Sequence, residues 1–156
     1  MYKKTKILLA FSFIMLVIAL SGKTMGYKDI PLEDIKNNVM SVVDNTKFVE
    51  GDNKSFKRFY GLNMDDYKDV ILYLPSSTME VSELLIIKVN DTSQIDSIEE
   101  CINKRIESQE NSFKDYAPEQ YSIIKQNEIS IKGNYVFLAI SENGAEMKEK
   151  FIESIK

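Results

Sequence analysis

The sequence predicts an α+β fold: a four-stranded, mainly antiparallel sheet built from two hairpins, packed with a long central helix and flanking helices. Three observations predict it. Two pairs of short apolar runs, 70–74 (VILYL) with 83–89 (ELLIIKV) and 129–132 with 135–141, are each separated by turn-forming residues. The segment between the pairs, 91–118, repeats isoleucine at helical spacing. Helical stripes also precede the first pair and follow the second, giving the order α-α-β-β-α-β-β-α. Hairpins separated and flanked by helices favour one sheet with helices packed on it.

The first helix is expected over 31–43. Pro31 suits a first helical turn, Glu33 and Asp34 suit the positive helix end, and Leu32, Ile35, Val39, Val42 and Val43 form one stripe. Residues 44–53 read as a polar loop with Gly51 and Asp52 near its end. A short helical turn over 55–60 presents Phe56, Phe59 and Tyr60 and is closed by Gly61. Asp65, Asp66 and Asp69 cluster around Tyr67 without the spacing of a calcium loop, so they read as a solvated turn.

Strand 70–74 is stopped by Pro75. In 83–89, Leu85, Ile87 and Val89 share one face while Leu84, Ile86 and Lys88 share the other. A strand apolar on both sides belongs in the interior of a sheet. Asp91, with Gln94 three residues on, resembles a capping box for the long helix, and Pro118 bounds it. A further short turn is expected over 119–126. Gly133-Asn134 turns the second hairpin, and YVFLAI (135–140) is again apolar throughout. Asn143 with Glu146 resembles a cap for the last helix, whose stripe is Met147, Phe151 and Ile155.

Composition excludes several chemistries. The 156-residue chain has no histidine, which removes Ser-His-Asp and Cys-His sites and His-based zinc sites. Its one cysteine, Cys101, rules out an intramolecular disulfide and reads as a small apolar filler on the long helix. No cofactor and no metal site is expected.

The first residues carry an export pattern. Lys3, Lys4 and Lys6 precede an uncharged run, 7–20, whose only polar residue is Ser12. At ~1.5 Å per residue this run spans roughly 21–24 Å, short against a hydrocarbon core of about 30 Å. Residues 1–21 therefore read as a signal peptide cut before Gly22, with an uncleaved signal anchor as the alternative. Residues 22–28 read as a tether and 29–156 as a single α+β domain. The expected location is outside the cytoplasmic membrane, secreted or anchored. Loss of residues 1–21 removes three lysines and no acid, moving the formal charge from −4 to −7. An acidic domain lacks the footprint for nucleic acid, and membrane contact is expected only through the N-terminal segment.

One set of spacings carries a resemblance. Arg105, Gln109, Phe113, Tyr116 and Pro118 give R-x3-Q-x3-F-x2-Y-x-P, accompanied by Tyr60-Gly61-Leu62 and Gly133-x-Tyr135-Val136. From about Leu32 onward the chain resembles a domain-of-unknown-function family. Its members are small exported or lipoprotein-anchored proteins of clostridia and related Gram-positive bacteria. This chain lacks the lipoprotein anchor cysteine, and the resemblance implies no reaction, substrate or cofactor.

Helical geometry adds a candidate site. At ~100° per residue, Ile95, Ile98, Ile102, Ile106 and Phe113 fall in a stripe roughly 80° wide. Gln109 falls inside that stripe, with Arg105 and Tyr116 beside it. A glutamine facing a core needs partners for a donor and an acceptor. Arg105, Gln109 and Tyr116 are therefore either a bracket locking helix to sheet or a recognition edge, in which Arg105 offers a fork to a carboxylate or carbonyl.

The functional expectation is a non-catalytic extracytoplasmic protein-interaction or accessory module of the bacterial cell envelope, with a protein partner. The alternative is a hydrolase working outside the membrane with paired carboxylates, Asp66 or Asp69 with Glu80 or Glu83.

Overall fold

A computed structural model describes residues 26–156. The export segment and the first part of the tether lie outside the described residues. Among the described residues there are five α-helices and five strands: α1 (Leu32–Met40), β1 (Phe48–Glu50), α2 (Asn53–Tyr60), β2 (Asp69–Pro75), β3 (Glu83–Lys88), α3 (Ile95–Phe113), α4 (Pro118–Lys125), β4 (Glu128–Lys132), β5 (Tyr135–Ile140) and α5 (Gly144–Ser154). Among the described residues no helix is long and apolar enough to cross a membrane.

The strands form one antiparallel sheet in the order β1-β2-β3-β5-β4. Both predicted hairpins are present, and β3 and β5 join them at the centre. Every residue of these two strands is buried, as the apolar runs 84–87 (LLII) and 135–140 (YVFLAI) require; the charged ends of β3, Glu83 and Lys88, are buried with them. Helices cover both faces. Leu72, Leu85, Ile87, Val136, Leu138 and Ile140 pack with α2, α3 and α4. Leu84, Ile86, Phe137 and Ala139 pack with Leu32, Ile35, Val39, Met147 and Phe151 of α1 and α5.

The sheet has five strands rather than four. The additional one, β1, lies inside the segment read as a polar loop. Three residues carry too short a pattern to show alternation; pairing of Val49 with Leu74 of β2 makes the strand. The long helix is also shorter than 91–118. The Asp91–Gln94 capping box forms, but it opens a 3₁₀ turn (Thr92–Gln94), and α3 itself stops at Phe113. Pro31 stands just before α1 rather than within it, and α1 ends at Met40. Asn143 makes no side-chain cap on α5; its amide donates to the Val42 carbonyl at 2.8 Å, tying α5 to the chain after α1.

Two glycines are required by conformation. Gly61 closes α2 at φ 70° and Gly133 turns the β4–β5 hairpin at φ 58°, left-handed values that side chains disfavour.

The fold begins earlier than residue 29. The Lys28 N–H donates to the Ile155 carbonyl at 3.0 Å, and Tyr27 packs over Gly133. Buried Lys88 donates to the Ile30 carbonyl at 3.0 Å, pairs with Asp29, and sits 5.2 Å from the Tyr135 ring centre. The Tyr135 hydroxyl accepts the Ile30 N–H at 2.9 Å. This clamp explains the one charged residue at the end of an otherwise apolar β3 face.

Candidate functional site

Glu83 is the first residue of β3, opposite Ile140 of β5 and on the same face as Leu85. It is completely buried beneath α3. A buried carboxylate is stable only when paired and hydrogen-bonded, and three side chains supply this. Arg105 donates from Nε to both carboxylate oxygens at 3.2 Å and from Nη2 to Oε2 at 2.7 Å. Gln109, one turn on, donates from Nε2 to Oε2 at 2.9 Å. Tyr60, the last residue of α2, donates its hydroxyl to Oε1. The Arg105 guanidinium also lies 4.4 Å from the Phe59 ring centre.

The electrostatics follow from this packing. Burial opposes the charge on Arg105, but hydrogen bonds from it to Glu83 and the carboxylate's charge outweigh that cost, so its pKa is raised. Burial, then the adjacent Glu83 charge, holds the Tyr60 hydroxyl protonated well above its ordinary value of 10.0. The sign for stability is definite. Below pH 10 both folded and unfolded Tyr60 are protonated and its contribution is intact. As pH rises past that value the unfolded state releases its proton first, so stability falls, by about 1.4 kcal/mol per pH unit per group. Tyr60→Phe should therefore flatten the alkaline limb of a urea-denaturation series. It should leave the shallower fall due to Tyr67, raised in the same direction mainly by burial. An alkaline limb unchanged in Tyr60→Phe would contradict this account.

Of the three sequence-predicted site residues, Arg105 and Gln109 meet at Glu83. Tyr116 does not join them. It is exposed, its ring stacked on Phe113 with centroids 5.5 Å apart. Projection at 100° per residue holds only inside a helix, and α3 ends three residues before Tyr116. Tyr60 and Glu83 take its place in the bracket. The signals for both were present: a lone acid heading a doubly apolar strand, and the Tyr60-Gly61-Leu62 string.

Beside the bracket lies a groove of about 470 Å³ between α2, α3 and the β2–β3 connection. Phe59, Leu74 and Phe113 line it together with Val49 of β1. Gln109 and Glu80 also line it, and each carries a buried oxygen, Gln109 Oε1 and Glu80 Oε2, with no hydrogen-bond partner among the described residues. The Gln109 orientation is fixed by chemistry, since rotating the amide would set its oxygen against the Glu83 carboxylate. Both oxygens are shielded from solvent in the groove wall, which Arg58 and Arg105 also line.

The β2–β3 hairpin separates most of the proposed carboxylate partners. Asp69 pairs with Lys88, five residues along β3 from Glu83, which is roughly 17 Å at strand rise. Asp66 lies near the same end, its carbonyl accepting from Asn90 and Gln94 side chains. Glu83 itself has both oxygens engaged by donors.

A family model described as Domain of unknown function (DUF4358) matches residues 41–141. The chain belongs to this family. No curated protein and no solved structure matches it. In this DUF4358 protein the matched segment runs from the end of α1 through β5, so it contains the whole Glu83 bracket and the groove. Helices α1 and α5, which cover the other sheet face, lie outside that segment.

Proposed function

We propose that this DUF4358 protein is a non-catalytic extracytoplasmic interaction or accessory module of the bacterial cell envelope, and that it binds a protein partner through the groove. The observation that carries this reading is the division of labour around Gln109. One end of its amide completes a saturated bracket, and the other lies unpartnered at a partly apolar groove. A carboxylate already holding donors on both oxygens is suited to stiffening a wall rather than to proton transfer. The export pattern of residues 1–21 and the acidic charge support placement outside the membrane, and the resemblance noted above supports a Gram-positive source.

A photo-crosslinking residue at Thr78, on the exposed groove rim, should capture a discrete envelope protein in cells. The same residue at Glu153, exposed on α5, should not. Identical adducts from both positions, or none from Thr78, would count against the groove. A reporter enzyme fused after Lys156 should be active outside the cytoplasm; cytoplasmic activity would overturn the location.

A further inference from the structure

The edge of the sheet far from the groove has a self-complementary sequence. Strand β4 pairs with β5 on one side, and its other side is an edge with no further strand among the described residues. The register shows which peptide groups that edge offers. The Val89 N–H donates to the Asn134 carbonyl at 2.9 Å, so residues 134, 136 and 138 turn their peptide groups toward β3. Residues 135, 137 and 139 therefore face β4, where they meet Lys132, Ser130 and Glu128. Ile129 and Ile131 turn their N–H and carbonyl groups outward, and no backbone partner meets them among the described residues. Such groups are a template for another strand.

The side chains select which strand. The sequence of β4 is Glu-Ile-Ser-Ile-Lys, with an acid and a base at equal distances from Ser130. Two copies related by a two-fold axis through Ser130 run antiparallel. Ile129 of each then opposes Ile131 of the other as a hydrogen-bonded pair, because both carry outward peptide groups. Glu128 opposes Lys132 twice, and Ser130 opposes itself, in the closer non-bonded pairs. A parallel in-register pairing would instead set like charges side by side. An antiparallel shift of two residues would lose the charge pairs. The two charged groups have capacity to spare. Lys132 forms no ion pair among the described residues, and Glu128 uses only Oε2, which accepts from Lys148 at 2.8 Å.

We propose that the outer edge of β4 binds the same edge of a second copy of this chain, joining two five-stranded sheets into one of ten strands with Glu128–Lys132 pairs on either side of Ser130. The proposal does not depend on the groove reading. The groove adjoins β1 at the opposite edge of the sheet, so a pair of chains would carry one open groove at each end. A five-residue strand contact is small, so the pair should form and separate reversibly with concentration.

Sedimentation equilibrium of the full-length chain in density-matched detergent should show a monomer and a dimer exchanging by mass action. Lys132→Glu and Glu128→Lys each set like charges opposite one another twice, and each should raise the dimer dissociation constant about tenfold. An equimolar mixture of the two variants restores both opposite-charge pairs and should recover the parental value. Register is tested by cysteine, with the native thiol removed as Cys101→Ala. In that background Ser130→Cys should form an intermolecular disulfide on mild oxidation, since paired residues of this kind have Cα atoms roughly 4.5 Å apart. Ile129→Cys should not, because its own copy lies two residues further along.

A monomer at every concentration, charge variants that dimerise like the parent, or a mixture no tighter than its components would each overturn the proposal. Bridging as efficient at position 129 as at 130 would overturn the register and the pairing with it. Should a charge variant fail to fold, the two cysteine variants decide alone: a bridge at 130 and none at 129 supports the proposal, and any other pattern overturns it.

Discussion

Arg105→Ala should lower the unfolding free energy by about 3–5 kcal/mol, the cost of leaving a buried carboxylate without its partner. Glu83 is fully buried and the Arg105 side chain only 12% exposed, so solvent screening gives little relief. Tyr60 and Gln109 would still donate to Glu83, but neither carries charge. Arg105→Lys should recover part of the loss, because an ammonium keeps the charge and gives up the planar fork and its place over Phe59. Replacing Glu83 and Arg105 together with leucine and methionine should cost less than Arg105→Ala alone. The remaining deficit would belong to Tyr60 and Gln109, which lose their acceptor. Urea denaturation of the three variants measures this directly. An Arg105→Ala protein within about 1 kcal/mol of the parent would show that the ion pair is not structural.

Phe151→Ala should cost a similar amount, about 3–5 kcal/mol, on the opposite face of the sheet. Its ring stacks on Phe137 with centroids 4.7 Å apart and meets Tyr135 edge-on at 6.4 Å. All three are fully buried, so truncation opens a cavity that neighbours on a rigid central strand cannot fill. Thermal melting should fall by on the order of 10 °C for a domain of this size. A shift of only one or two degrees would mean that α5 closes onto the sheet without its phenylalanine. The variant also separates the two faces: partner capture through Thr78 should survive at temperatures where the protein remains folded.

Much of this architecture was legible because burial leaves a clear mark on sequence. Runs such as YVFLAI are apolar without interruption only where both sides of a strand are covered, and β3 and β5 are the two central strands. The isoleucine stripe located the inner face of α3, and Gln109 stood out because it interrupts that stripe. Legibility failed where structure depends on distant partners. β1 exists through pairing with β2, and nothing in Phe48-Val49-Glu50 alone requires a strand. Tyr116 lies beyond the end of α3, where helical spacing no longer fixes a side chain's direction. The bracket's centre, Glu83, faces Arg105 across 22 positions of sequence, and only the packing of α3 on β3 brings them together.

The clamp at Lys88 and Tyr135 gives the domain a mechanical polarity. Residues 28–30 are held at the Lys88 end of β3, whereas Glu83 and the groove occupy the opposite end of the same strand. The chain therefore enters the fold at one pole and the groove lies at the other. Any load pulling on residues that precede Tyr27 is borne first by the clamp, with the length of the central strand between it and the groove. If those residues are fixed to a membrane, the domain holds its groove outward, toward whatever approaches from the far side.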